Sequence, residues 1–148
     1  MTDEVEVAEV TVASDEIVSD IVHLLTQLSS RPSDVTATLA REAITSDATR
    51  VLVARMGGRT VGTLTLAIFA IPSGRRAWIE DVVVDENARR LGVGEILVRR
   101  AVEVATDARV RTVDLTSRSS RSEAHALYQK VGFAVRDTNV YRFDVEVI

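Results

Sequence analysis

Residues 82–94 have the sequence VVVDENARRLGVG, in which three valines lead into a loop rich in arginine and glycine. After the loop, apolar residues recur at spacings of four, four and three positions: Val93, Leu97, Ala101 and Val104. This period predicts a helix with one apolar face, and it places the first turn of that helix at the glycines. A buried strand followed by a glycine loop and a helix predicts a mixed α/β fold.

The loop before this helix has the properties of a phosphate-binding site. The start of a helix leaves about four N–H groups without internal partners and carries roughly half a positive charge. Gly92 and Gly94 lack the Cβ atoms that would keep a ligand away, while Arg89 and Arg90 add guanidinium groups at the same rim. A plain turn with solvated arginines is the alternative.

Two common phosphate motifs do not match this loop. No Gly-Lys-Ser/Thr follows, as a Walker A motif requires, and Leu97 stands where a dinucleotide fingerprint has its third glycine. We therefore expect an anionic cofactor of another kind.

Composition narrows the class of protein. The length of 148 residues fits one domain, residues 1–148, and no run of about 18 apolar residues predicts a membrane span. The acidic start, MTDE, is unlike a signal peptide, and cysteine is absent, so we expect a cytoplasmic protein without disulfides. A net charge of −4 argues against nucleic-acid binding.

Hydrophobic patterning predicts helices and strands that alternate without a linker or a repeat. The strands at 50–56 and 60–70 form a hairpin through the Gly57-Gly58 turn. The predicted helices cover residues 15–28, 34–45, 93–107 and 121–130. The predicted strands cover residues 5–13, 50–56, 60–70, 77–84, 112–116, 133–136 and 140–147.

A second motif occupies residues 120–133, with the sequence SRSEAHALYQKVGF. Ser120 and Glu123 have the spacing of a capping box, and Gly132 is suited to end the helix. Tyr128 lies on the apolar face, where its hydroxyl needs a hydrogen-bonding partner. A structural role is the usual one for such a tyrosine.

Together these residues resemble the GNAT superfamily of acetyl-CoA-dependent N-acetyltransferases. The family's cofactor signature, Arg/Gln-x-x-Gly-x-Gly/Ala, is matched by RRLGVG at 89–94, and residues 79–84 are similar to the family's fourth strand. Arg121 stands where the family's C-terminal signature begins with Asn. The matched positions of that signature are Ala124, Leu127, Tyr128, Gly132 and Phe133.

The resemblance covers nearly the whole chain and implies a fold and a cofactor. The fold is α/β (α+β), with a single mixed, mostly antiparallel sheet of about six to seven strands and about four helices. Acetyl-CoA is the implied co-substrate. Backbone groups of Val82, Val83 and Val84 would hold its pantetheine arm as an added strand. The pyrophosphate would be held by Arg89, Arg90, Leu91, Gly92, Val93, Gly94 and Glu95.

Acetyl transfer to an amine needs a base, because a protonated amine has no free electron pair. Glu80 is the candidate, since its apolar neighbours would raise its pKa. Strand alternation places Glu80 on one face with Val82 and Val84, and Asp81 on the other. Asp81 or a water molecule remains an alternative base, and a simple ion pair is the alternative role of Glu80. No metal ion is expected, because the histidines lack ligand spacing.

The remaining expectations concern the acid and the partners. Tyr128 matches the family tyrosine proposed to protonate the departing CoA thiolate. The family's acceptor site corresponds here to residues 28–33, Tyr141 and Phe69, while Trp78 and Phe143 are either core residues or substrate contacts. The acceptor is the primary amine of a small molecule or a protein. The apolar C-terminal strand suggests a homodimer. A non-catalytic acyl-CoA sensor or interaction module of the same fold is the alternative function.

Overall fold

The computed structural model describes residues 4–28 and 31–145, which form a mixed sheet flanked by helices. Five strands lie side by side in the order in which they follow along the chain. Short 3₁₀ turns lie at Pro32–Asp34 and Glu86–Ala88. The strands are β1 (Val5–Glu9), β2 (Thr49–Met56), β3 (Arg59–Ile71), β4 (Gly74–Val84) and β5 (Thr112–Asp114). The helices are α1 (Asp15–Leu28), α2 (Ala37–Thr45), α3 (Val93–Asp107) and α4 (Ser122–Val131).

The first four strands pair in antiparallel fashion, and β5 runs parallel to β4. The predicted hairpin between β2 and β3 is confirmed. Its turn residues Gly57 and Gly58 have φ values of 56° and 77°, a conformation that glycine adopts without steric cost. Only residues 76–78 of β4 pair with β5, because β5 ends at Asp114, so the pairing stops at Trp78.

Two apolar cores cover the two faces of the sheet. On one face α3 packs through the predicted stripe, in which Val93, Leu97, Ala101 and Val104 are all buried. On the other face α1 and α2 cover Val51 and Val53 of β2. Residues 51–54 are therefore buried on both faces of the sheet. None of the helices in the described ranges is long and apolar enough to cross a membrane.

The predicted number of strands, six to seven, is wrong for the described part of the chain, where the sheet has five. Residues 133–145 form no strand, and positions 146 and 147 of the last predicted strand lie outside the described residues. Apolar and polar residues do alternate in this segment, but no strand of the described residues pairs with it. An alternating segment gains stability as a strand only when one of its faces is buried. Five apolar side chains of this segment are 72–89% exposed: Val135, Val140, Tyr141, Phe143 and Val145.

A β-bulge interrupts β4 at Asp81. The register with β3 shifts between Thr63 and Thr65, and Asp81 has a φ of 52°. Glu80 pairs with Thr65, and Val83 pairs with Thr63. Because Thr63 and Thr65 point to the same side of β3, Glu80 and Val83 share one face of the sheet.

The bulge corrects the facing predicted for Glu80. Regular alternation places Glu80 on the face of Val82 and Val84. The extra residue in the bulge reverses the alternation after Asp81, so Val82 and Val84 point to the α3 side, opposite Glu80.

The two predicted ends of α4 have different outcomes. The capping box does not form, because the helix begins at Ser122 and its N-cap is Arg121, which makes no side-chain cap. Ser120 therefore lies one position too early to cap the helix. The predicted stop is confirmed, since Gly132 has a φ of 123° and its N–H donates to the carbonyls of Tyr128 and Gln129.

Candidate active site

A cleft of about 1020 Å³ opens between β4, the N-terminal turn of α3, and α4. It brings together nearly all of the residues predicted to bind the cofactor. Leu91 is the exception, since its side chain is exposed and does not line the cleft. The predicted residues on the wall are Val82, Val83, Val84, Arg89, Arg90, Gly92, Val93, Gly94, Glu95 and Tyr128.

The outer edge of β4 forms one wall of this cleft. Residues 82–84 pair with β3 on one side, but they lie beyond the segment that pairs with β5. In the described part of the chain, no strand pairs with their other edge. Backbone N–H and C=O groups that lack a partner can accept an extended ligand as an additional strand.

The loop that follows β4 is held in place from within. The Asp85 side chain accepts a hydrogen bond of 2.9 Å from the N–H of Asn87, and Ala88 is buried. Gly92 has a φ of 80° and forms the N-cap of α3. The first helical hydrogen bond runs from Ile96 N–H to the Gly92 carbonyl, so the N–H groups of residues 93–95 are not used within the helix. Free N–H groups at a helix start attract anions.

The two glycines of the loop have different roles. A Cβ on Gly92 would meet no atom within 4 Å, so this glycine provides the left-handed conformation and leaves open space. A Cβ on Gly94 would lie 3.2 Å from Leu127 Cδ1. Gly94 lines the cleft and also allows α3 and α4 to pack closely.

Glu95 connects the same two helices. Its carboxylate contacts Lys130 Nζ at 2.9 Å and Arg99 Nε at 3.0 Å. These hydrogen bonds, the one from Lys130 foremost, lower the pKa of Glu95. Because two cations balance this carboxylate, Glu95 leaves its backbone N–H available to an anion without adding an unpaired negative charge.

Tyr128 is half-buried on α4, with its ring edge-on to Phe133 at a centroid distance of 6.0 Å. Burial raises the pKa of the Tyr128 hydroxyl, and the nearby charge of Arg121 opposes this only in part. The hydroxyl therefore keeps its proton at neutral pH and can donate it. Tyr128 lines both the cleft and a groove of about 830 Å³ beside β5.

Glu80 and Asp81 directly precede the cleft wall but do not line it. Burial is the main cause that raises the pKa of Glu80; the charge of Asp81 adds to it, and Arg142 opposes it. Burial also raises the pKa of Asp81. A carboxylate with a raised pKa is a stronger base than an ordinary carboxylate, so both groups are candidates for the base. Among the described residues, no group of three or more acidic or histidine side chains is arranged to hold a metal ion.

The residues predicted to meet an acceptor are scattered. Leu28 lines the cleft, and residues 29 and 30 of the predicted loop lie outside the described residues. Phe69 is 39% exposed on β3, while Tyr141 and Phe143 are fully at the surface and belong to neither core. Trp78 is half-buried and lines the groove beside β5.

The N-terminal turn of α4 also lines the cleft, through Ser120, Arg121 and Ser122. The sequence predicts Ser120 in a capping box and places Arg121 at the first position of the family's C-terminal signature, but it identifies none of the three as a binding residue. Their polar, small and cationic side chains, placed before a second helix start, are the signal that could have identified them. Gln27, from the end of α1, is a further wall residue without such a signal.

Comparison with known proteins agrees with this geometry. The model of the Acetyltransferase (GNAT) family matches residues 19–133. A rice protein (Oryza sativa subsp. japonica) named "Probable glucosamine 6-phosphate N-acetyltransferase 2" is 37% identical over 123 residues. The match covers 76% of this chain and 72% of the rice protein.

Solved structures share the fold. A transcriptional regulator from Bacillus halodurans C-125 superposes with a TM-score of 0.81 at 23% identity, over 95% of this chain and 100% of the other. The aminoglycoside N-acetyltransferase AAC(6′)-Iy in complex with CoA gives a TM-score of 0.81 at 16% identity, with 96% and 95% of the two chains covered. Similarity at this level of identity supports the fold.

Proposed function

The chain belongs to the GNAT family of acetyltransferases, and from this premise we propose that it transfers an acetyl group from acetyl-CoA to a primary amine. The observation that carries the proposal is the cleft, which combines an unpaired strand edge, a helix start and a protonated tyrosine. An extended thioester with a diphosphate needs all three features.

The cleft suggests how acetyl-CoA is held. The free backbone edge of residues 82–84 pairs with the amide groups of the pantetheine arm. The pyrophosphate lies at the N-terminal turn of α3, where unbonded N–H groups point toward it and Arg89 and Arg90 supply positive charge. Glu95, whose carboxylate is balanced by Lys130 and Arg99, completes this rim.

The transfer is a direct attack on the thioester. Glu80 accepts a proton from the acceptor ammonium, and the freed nitrogen forms a bond to the thioester carbon. Backbone N–H groups of β4 stabilise the oxygen that becomes negative. The C–S bond then breaks, and the Tyr128 hydroxyl donates its proton to the leaving thiolate. The amide nitrogen then loses its second proton to solvent, solvent reprotonates the Tyr128 phenolate, and Glu80 releases its proton to solvent, so that one proton is released per turnover.

We take a small-molecule amine as the acceptor. The rice relative is named for glucosamine 6-phosphate, and a structural neighbour is an aminoglycoside acetyltransferase. Both names describe amino sugars, so amino sugars are the first compounds to assay.

CoA release with a panel of amines tests this function, with Tyr128→Phe as the key variant. Loss of a general acid typically reduces the rate about 10²–10⁴-fold, and we expect a fall in kcat of that size with unchanged acetyl-CoA affinity. Tyr141→Phe is the matched control, since that hydroxyl is fully exposed. Tight acetyl-CoA binding without turnover on a broad amine panel would instead support a non-catalytic acyl-CoA sensor.

We further propose that the protein forms a homodimer through residues 135–145. Five apolar side chains of this segment are exposed, and β5 is the edge strand of the sheet. An edge strand beside an uncovered alternating segment favours pairing between chains.

A further inference from the structure

A second cavity, of about 370 Å³, lies at the other end of β4 from the cofactor cleft. Three arginines, Arg76, Arg111 and Arg136, line it together with Thr112 and Asp114; we call it the arginine cavity. In residues 4–28 and 31–145, none of these arginines forms an ion pair with a carboxylate. Three guanidinium groups and one carboxylate leave a net charge of +2.

The arginine cavity lies on the same face of the sheet as Glu80. Arg76, Trp78 and Glu80 occupy alternate positions of β4 before the bulge, so their side chains share one face. Arg76 pairs with Thr112 and Trp78 pairs with Asp114 across the parallel register. The half-buried Trp78 therefore lies between the cavity and the candidate base.

Arg111 contacts the turn that precedes β4. One of its guanidinium nitrogens donates a 2.6 Å hydrogen bond to the Ser73 carbonyl, and its backbone N–H donates to the Arg75 carbonyl. Its side chain lies against Gly74, where a Cβ would come within 2.4 Å of Arg111 Cδ. The guanidinium has five N–H donors, so those that Ser73 does not use remain for an anion.

We propose that the arginine cavity binds an acidic oxyanion of the acceptor, a phosphate ester foremost, while the acceptor amine lies at Glu80. This inference rests on the proposed acetyl transfer. Arg76 and Glu80 are four positions apart on β4, a Cα distance of roughly 13 Å at about 3.3 Å per residue. Both side chains are long enough to lean toward an acceptor that lies between them. Guanidinium groups bind phosphate in bidentate fashion, which suits a cavity of net positive charge.

Trp78 is the single tryptophan of the chain, so its fluorescence reports on the cavity beside it. We expect inorganic phosphate, titrated with CoA already saturating, to change this signal saturably. Arg76→Gln and Arg136→Gln should each weaken phosphate binding at least tenfold, whereas Arg59→Gln, an exposed arginine at the start of β3, should have no effect. No saturable change, or equal affinity in all variants, would overturn the proposal.

Matched acceptors separate this inference from the acetyl-transfer proposal. The panel contains glucosamine, glucosamine 6-phosphate and glucosaminuronic acid, which carries a carboxylate at C6. A higher kcat/KM for an anionic acceptor than for glucosamine supports the proposed anion site if Arg76→Gln selectively removes that advantage. The acceptor that has the advantage shows whether the cavity prefers phosphate or carboxylate. Turnover with no preference for any anionic acceptor contradicts the cavity alone. Saturable phosphate binding without turnover of any amine contradicts acetyl transfer but leaves the anion site standing.

Discussion

At the scale of single residues, the proposed chemistry depends on two side chains, Glu80 and Tyr128. Their environments raise the pKa of both, but Glu80 serves as the base and Tyr128 as the acid. Burial raises the pKa of Glu80, so this carboxylate holds a proton more firmly than an ordinary glutamate does. Burial also raises the pKa of Tyr128, so the phenol stays protonated, although a raised pKa makes it a weaker acid. One group can thus receive a proton and the other can give one.

The pH dependence of the reaction should follow Glu80. The base works only when deprotonated, so kcat/KM should fall on the acid side with an apparent pKa above that of an ordinary glutamate. Glu80→Gln should remove this acid limb and reduce kcat/KM about 10²–10⁴-fold. The measurement is a pH series with the parent, Glu80→Gln and Asp81→Asn. If Asp81→Asn alone removes the limb, Asp81 is the base.

Thermal unfolding distinguishes this effect from a folding defect. A raised native pKa means that the folded state binds the proton more tightly than the unfolded state does. The resulting stability is present at acid pH and is lost as the pH rises through the native pKa. Glu80→Gln should therefore gain Tm relative to the parent as the pH rises toward neutrality, although its activity is lost.

At the scale of elements, the sequence predicts helices and turns that follow from a local pattern, and it misses features that depend on pairing with another strand. The stripe of α3 and the Gly57-Gly58 hairpin follow from local pattern and turn chemistry, and both are confirmed. The bulge at Asp81 depends on the register between β3 and β4, which no local pattern reveals. The prediction of strands in residues 133–145 is wrong for the same reason, since an alternating segment needs the edge of a neighbouring strand.

The bulge yields a prediction about stability. Asp81 adopts a φ of 52°, which costs a β-branched residue about 1–2 kcal/mol more than regular strand geometry. Asp81→Val should therefore lower the free energy of unfolding by that amount in a urea titration. Asp81→Asn should be nearly neutral, because asparagine tolerates this conformation. Equal stability of the valine variant would contradict a bulge at this position.

At the scale of the whole molecule, the site divides into a part that is contiguous in sequence and a part that is not. Most residues that line the cleft beside β4 could be named from the sequence, because residues 82–95 form a strand, a loop and a helix start in one run. The arginine cavity collects Arg76, Arg111 and Arg136 from three distant segments. Only the pairing of β4 with β5 places two of those segments side by side.

The homodimer is a prediction at the same scale. We expect light scattering after size exclusion to give twice the chain mass for the parent, and a monomer for the double variant Tyr141→Asp/Phe143→Asp. A charge placed on an apolar strand interface loses the burial that stabilises it. Val12→Asp is the control, since Val12 is also exposed but lies outside the segment. A parent that remains monomeric at high concentration would contradict the dimer.

Because the pairing of β4 with β5 stops at Trp78, hydrogen exchange at residues 82–84 can report on ligand binding. We expect the amide protons of residues 82–84 that point away from β3 to exchange readily with solvent, because no strand of the described chain pairs with them. A ligand arm that pairs with this edge slows their exchange. Deuterium uptake at these valines then measures how much of the protein carries its cofactor, independently of turnover.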